Sequence, residues 1–197
     1  MAKSYAPAAL RNSQPILEVI RDEFTGCRKV LEIGSGTGEH AVFFASEMPG
    51  LTWQTSDLTA NHDSIIAWID DAGLDNVRGP LELDVQKPPQ IREKYDAVFS
   101  ANTAHIMSIG AVECMFHVVA DCLNEDGRFC LYGPFNLNGA FTSDSNRQFD
   151  ASLRARNPEM GIRDLETLDG FASANGLHRI NLYAMPANNM IAVWARN

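Results

Sequence analysis

The stretch KVLEIGSGTGEH, Lys29 to His40, joins an apolar run to three glycines at alternate positions, Gly34, Gly36 and Gly38. KVLEI has the composition of a strand that is apolar on both faces, as in a buried parallel sheet. The chain then passes through a loop with no side chain at every second position and enters another apolar run, AVFFA. Glycine accepts positive φ and lets a backbone approach a ligand without a Cβ between them. The helix that follows presents free N–H groups and a partial positive charge. A ligand resting against this loop accounts for its composition.

The spacing discriminates between ligands. A dinucleotide site asks for G-x-G-x-x-G/A, with a small third residue where helix meets strand. Counted from Gly34, that place falls on Glu39, so the pattern fails. An acid at the helix start also opposes a pyrophosphate. E-x-G-x-G-x-G, Glu32 to Gly38, instead resembles motif I of the S-adenosylmethionine-dependent methyltransferases, whose cofactor carries no phosphate.

Outward from the loop, strands and helices alternate. RNSQPILEVIRDEF predicts an N-terminal helix over 12–25, capped by Asn12 or Ser13, with Pro15 in its first turn and Ile16, Leu17, Ile20 and Phe24 as its apolar stripe. A helix follows the glycines to about Met48. LTWQTS is a strand ending at Asp57, and NHDSIIAWIDDAG a helix with Asn61 as cap and Gly73 as stop. GPLELD holds a strand ending at Asp84, YDAVFS a fourth and GRFCLYG a fifth, with SIGAVECMFHVVADCLNEDG as a helix before the fifth. HRINLYAM, the turn PANN and MIAVWAR close the chain as an antiparallel hairpin. The expectation is α/β: a three-layer, doubly wound, seven-stranded sheet, mostly parallel with an antiparallel C-terminal strand. This order resembles class I methyltransferases; a Rossmann dehydrogenase has six parallel strands and no such hairpin.

The chain has 197 residues, 45% of them hydrophobic and 21% charged, which suits one domain over 1–197. A net charge of -9 argues against a nucleic-acid partner and leaves a small molecule as the expected substrate. Cys27, Cys114, Cys122 and Cys130 form no C-x-x-C pair, so reduced thiols and no metal are expected. The N-terminus lacks an apolar signal region, and no apolar run approaches the ~18–20 residues of a membrane span, which points to a cytoplasmic protein. Oligomeric state is not readable from the sequence.

Candidate site residues follow from strand ends. Asp57 lies 19 residues after Gly38, where a carboxylate can accept from ribose hydroxyls; a plain helix cap is the alternative. Asp84 resembles the methyltransferase acid that meets the adenine amino group, or is a turn carboxylate. Asn102 follows the fourth strand, where methyltransferases line the methionine end, or is a turn former. With Glu32, Gly34, Ser35, Gly36, Gly38, Leu58 and Val85, these form the candidate S-adenosyl-L-methionine site. His105, three residues after Asn102, is the best-placed base, and Tyr132 at the end of the fifth strand could hydrogen-bond an acceptor; both have structural alternatives. His40 reads as helix-surface or cofactor-side packing. No N-P-P-Y or Pro-Cys context occurs, which disfavours nucleobase methylation.

YGPFNLNGAFTSDSNRQFDASLRARNPEMGIRD, Tyr132 to Asp164, is similar to the signature of the domain-of-unknown-function 938 family, which includes the methyltransferase-like protein 26 group. PAALRNSQPILEVI and MPANNMIAVW resemble its terminal motifs. The resemblance spans nearly the whole chain. It implies a class I methyltransferase fold and S-adenosylmethionine binding, and supplies no substrate. The family often has Glu before the RN pair; this chain has Leu10, followed by Arg11 and Asn12, which are substrate-side candidates.

About thirty residues separate the fifth strand from the next helix, far beyond the ~2–6 usual in α/β loops. SDSNRQFDASLRARNP predicts a helix within them, with Ser143 or Ser145 as cap. Residues 134–163 are expected to form a substrate-side cap. Its arginines either pair with Asp144, Asp150, Glu159 and Asp164, or one of them, Arg154, grips an anionic substrate group beside Asn138, Ser143 and Asn146. Two other functions stay open: a non-catalytic cofactor-binding protein and a NAD-dependent oxidoreductase.

Overall fold

The computed structural model describes residues 2–196. Five parallel strands are placed by the alternation already read: β1 (Lys29–Ile33), β2 (Thr52–Asp57), β3 (Val77–Glu82), β4 (Tyr95–Ala101) and β5 (Leu123–Gly133). Two two-residue strands follow, β6 (Phe135–Asn136) and β7 (Arg163–Asp164), then the hairpin β8 (Leu177–Met185) and β9 (Asn189–Arg196). The seven-stranded sheet has the order β3-β2-β1-β4-β5-β9-β8. Strand β9 runs antiparallel to both its neighbours, as the terminal hairpin requires.

Side chains alternate across this sheet, and both faces are covered. Val30, Trp53, Ala97, Phe99 and Val193 pack under α1 (Pro7–Glu23) and α2 (Glu39–Glu47). Leu31, Ile33, Val98, Phe129 and Trp194 pack under α4 (Ile109–Cys122) and α6 (Leu165–Ala174). Helix α3 (Thr59–Ala72) flanks β2 and β3. The result is the expected three-layer α/β sheet.

Four boundaries differ from the sequence reading. Strand β3 ends at Glu82, so Asp84 lies in the turn after it and does not end the strand. The first helix starts at Pro7, not at residue 12, and ends at Glu23. Pro7 takes the first helical position, where its fixed φ and missing N–H cost nothing. Pro15 therefore lies inside the helix, and Asn12 and Ser13 are not caps. Helix α3 begins at Thr59, so Asn61 sits in its first turn, while Gly73 is the left-handed C-cap as expected. Helix α4 stops at Cys122, because Leu123 turns extended and pairs with Tyr95.

The long segment after β5 is ordered by its own hydrogen bonds. Its two ends pair in parallel as β6 and β7, and α5 (Asp144–Arg156) lies between them. Ser143 caps α5, accepting from the Asn146 N–H. No described helix is long and apolar enough to cross a membrane. The four cysteines are unbridged.

Candidate functional site

The strand order reverses between β1 and β4, and ligands of open α/β sheets bind at the carboxyl edge of such a point. A cleft of about 1360 Å³ lies there. Four successive strands supply its floor: Gly34 to Gly36 after β1, Asp57 at the end of β2, Asp84 and Val85 after β3, and Asn102 after β4.

The three glycines answer to different neighbours. A Cβ on Gly34 would meet Thr103 Cγ2 at 2.6 Å, so this glycine allows β1 and the β4 loop to close together. A Cβ on Gly38 would meet the Ile65 Cα at 2.9 Å, so this one lets α2 pack on α3. Gly36 alone is exposed to the cleft with nothing within 4 Å, and its φ of +59° suits glycine. Gly38 does not line the cleft, and neither does Glu32. Glu32 is buried behind the loop and accepts from Trp53 Nε1 at 3.1 Å. Burial lifts its carboxyl to about 7.

Asp57 fastens the loop to the start of α3. Its Oδ2 accepts the Gly36 N–H at 2.7 Å. Its Oδ1 accepts the Leu58 N–H at 2.7 Å and Asn61 Nδ2 at 2.8 Å. A carboxylate offers about four lone-pair positions, so roughly one, on Oδ2, is left for a ligand. A two-oxygen grip on a ligand's paired hydroxyls is therefore not free to form without releasing a loop contact. Asp84 holds its turn by accepting the Gln86 N–H at 2.9 Å. Asn102 has a φ of 60° and donates its N–H to the Tyr132 carbonyl at 2.9 Å.

Helix α1 closes one side. Arg11, Asn12 and Pro15 line the cleft. Glu39 anchors the start of α1 by accepting the Ala6 N–H at 2.5 Å and the Thr37 hydroxyl at 2.9 Å. Asn12 Oδ1 lies 2.8 Å from His40 Nε2, and His40 stacks on Phe44. Burial holds the His40 pKa down at about 4.

His105 and Tyr132 both line the cleft and are buried. Burial, reinforced by Arg163 and Arg156, pulls His105 down to about 4, so it is neutral at pH 7 and a weak base. Burial raises the Tyr132 hydroxyl, keeping it protonated. Opposite them, α5 contributes Ser145, Asn146 and Phe149, with Phe149 edge-on to His105 at 5.2 Å between ring centres. Asn146 Nδ2 reaches Thr142 Oγ1 at 2.9 Å and the Asn188 carbonyl at 3.0 Å, tying α5 to the hairpin turn.

Arg154 does not face the cleft. It pairs with Asp150 one turn back at 2.7 Å, and its outer side is exposed. The i,i+4 spacing makes that local pair available without any ligand. Arg147 stands 3.7 Å from Asp144. Arg163 caps carbonyls, donating Nε to Ala104 at 3.0 Å and Nη2 to Glu159 at 2.7 Å and to Met107. Ser143 spends its hydroxyl on capping, and Asn138 supports a turn, donating its N–H to Glu166 at 3.0 Å; neither lines the cleft.

Several lining residues carried no sequence signal. Gln86, Thr103, Ser108 and Glu159 sit in ordinary loops, and Asn188 and Asn189 arrive through the antiparallel β9. Arg11 and Asn12, the substrate-side candidates of the N-terminal segment, line the cleft from α1. Among the described residues, no group of three or more metal-ligating side chains occurs.

Known proteins resemble this architecture. The mitomycin 7-O-methyltransferase MmcR superimposes with a TM-score of 0.84 at 15% identity, over 96% of this chain and 54% of that one. An O-methyltransferase family protein from Burkholderia thailandensis gives 0.82 at 18%, over 96% and 57%. Human N-acetylserotonin methyltransferase, in complex with SAM, gives 0.77 at 13%, over 94% and 52%. The chain spans about half the length of these proteins, and at such identities the likeness is one of fold. The sequence profile of one family, described as "Protein of unknown function (DUF938)", matches residues 3–196. The fold is thus that of the class I methyltransferases, and the chain belongs to the DUF938 family.

Proposed function

We propose that this chain binds S-adenosylmethionine and transfers its methyl group to a small-molecule acceptor. The observation that carries the reading is the Gly36 loop pinned to Asp57 at the switch point, with Gly36 open to the cleft. In this reading the spare Oδ2 position of Asp57 accepts a ribose hydroxyl, Asp84 and Val85 hold the adenine, and Gly34, Ser35 and Asn102 border the methionine end. Leu58, exposed beside Asp57, covers the nucleoside. Gly38 and Glu32 support the loop from behind. Residues 134–163 act as the acceptor-side cap, because Asn146 and Phe149 lie across the same cleft as Gly36.

Volume supports a two-ligand site. A single small-ligand pocket measures roughly 300–1,000 Å³, and this cleft exceeds that. The neighbours named as methyltransferases, one of them with bound SAM, favour the same assignment. Glu39, buried at the start of α2, opposes a pyrophosphate and hence the dinucleotide alternative.

Isothermal calorimetry with S-adenosylhomocysteine and with NAD tests the reading. One site for S-adenosylhomocysteine and none for NAD is expected. NAD binding alone would overturn it. Binding without methyl transfer to any metabolite in an extract supplied with labelled S-adenosylmethionine would favour the non-catalytic alternative.

A further inference from the structure

Among the described residues Arg11 is the one arginine or lysine that lines the cleft; Arg156, which acts on His105, does not line it. Arg147 and Arg154 are paired with acids, and Arg163 is bound to carbonyls. Arg11 lines the cleft, is exposed, and has no ion-pair partner among the described residues. An arginine without an ion-pair partner that lines a concave site, in a protein with net charge -9, is a ready partner for a carboxylate, one oxygen of which can accept its N–H groups. Three acids line the cleft, Asp57, Asp84 and Glu159, and none of them forms an ion pair with Arg11. Asp57 is committed to three N–H groups and Asp84 to one.

Resting on the methyltransferase reading, we infer that Arg11 selects the acceptor, and that the acceptor is a small molecule whose ionised carboxylate is the group methylated. Asn12, Tyr132 and Phe149 line the same cleft. Neither histidine of the cleft serves as a base near neutral pH, because burial holds both at about 4, and Tyr132 is kept protonated. An acceptor that arrives ionised needs no base. One carboxylate oxygen takes the Arg11 N–H groups, and the other offers its lone pair to the methyl carbon. The C–O bond forms as the C–S bond breaks, and the sulfur keeps that electron pair. The sulfonium and the carboxylate both become neutral, as thioether and methyl ester, and no proton moves.

Benzoate and its neutral isostere benzamide serve as probes, titrated into the wild-type protein and Arg11→Gln, each with and without saturating S-adenosylhomocysteine. Arg11 is exposed on a helix, so the variant folds. Benzoate should bind the loaded wild type at least tenfold more tightly than benzamide. Arg11→Gln should erase that tenfold while changing S-adenosylhomocysteine affinity less than twofold. Equal binding of the two probes overturns the inference, as does benzoate binding that survives in Arg11→Gln. An equal loss of S-adenosylhomocysteine affinity also overturns it, because Arg11 would then serve the cofactor. If the wild type does not bind S-adenosylhomocysteine, the methyltransferase reading fails, and the unloaded titrations still decide whether Arg11 holds a carboxylate.

Discussion

Asp57→Ala has two separable consequences. The first is structural. The substitution removes three hydrogen bonds to a charged acceptor, from Gly36, Leu58 and Asn61. Such bonds contribute roughly 1.5–3 kcal/mol each when buried. Gly36, Leu58 and Asn61 are exposed and can rehydrate, so the expected loss of stability is smaller than the sum, about 2–4 kcal/mol. The second consequence is in binding. With roughly one lone-pair position left on Oδ2, Asp57 offers a ligand one strong hydrogen bond, worth about 1.5–3 kcal/mol, or roughly 10- to 150-fold in affinity. A freed Gly36 N–H and a loosened loop add to that loss. Urea unfolding gives the first quantity and calorimetry with S-adenosylhomocysteine, on protein shown to be folded, the second. A folded variant with unchanged stability would refute the pinning role. Unchanged affinity in the same variant would remove Asp57 from the binding site.

Other outcomes follow from the same geometry. Gly36→Val places a β-branched side chain in the cleft at a positive φ; it should fold with a penalty on the order of 1–3 kcal/mol and lose S-adenosylhomocysteine binding, read by calorimetry. Replacing residues 141–158 by a short Gly/Ser linker should leave cofactor affinity within a few-fold and abolish turnover of any identified acceptor. His105 has a native pKa near 4 against 6.5 unfolded, so its contribution to stability is complete above about pH 6.5 and is lost as pH falls toward 4. His105→Asn should therefore lower the slope of stability against pH in that window by up to one proton, measured by urea melts between pH 4 and 7.

Parts of this site were legible in the sequence because they are local. The strand, the glycines and the acid 19 residues on follow one another along the chain, and strand ends converge at the carboxyl edge by topology. The terminal hairpin was legible from its short turn, and Ala187 and Asn188 adopt the positive φ such a turn needs. The roles of the individual glycines were not legible. Gly34 answers to Thr103 and Gly38 to Ile65, contacts that exist only after folding. Arg154 was left between two alternatives because sequence spacing shows both an available partner, Asp150, and a location beside a cleft; only the side-chain direction separates them. The start of α1 was hidden by Pro15, which reads as a first-turn proline but sits mid-helix. Arg11 and Asn12, read as substrate-side candidates, line the cleft from within α1 although the start of that helix was misplaced.

A crystal structure of the protein with S-adenosylhomocysteine tests the central claim most directly. The account predicts adenine beside Asp84 and Val85, a ribose hydroxyl within hydrogen-bond distance of Asp57 Oδ2, the Gly36 backbone in contact with the ligand, and the sulfur directed toward the space between Tyr132 and Phe149. Density for the ligand elsewhere, or in this cleft with the nucleoside away from Asp57 and Asp84, would contradict it.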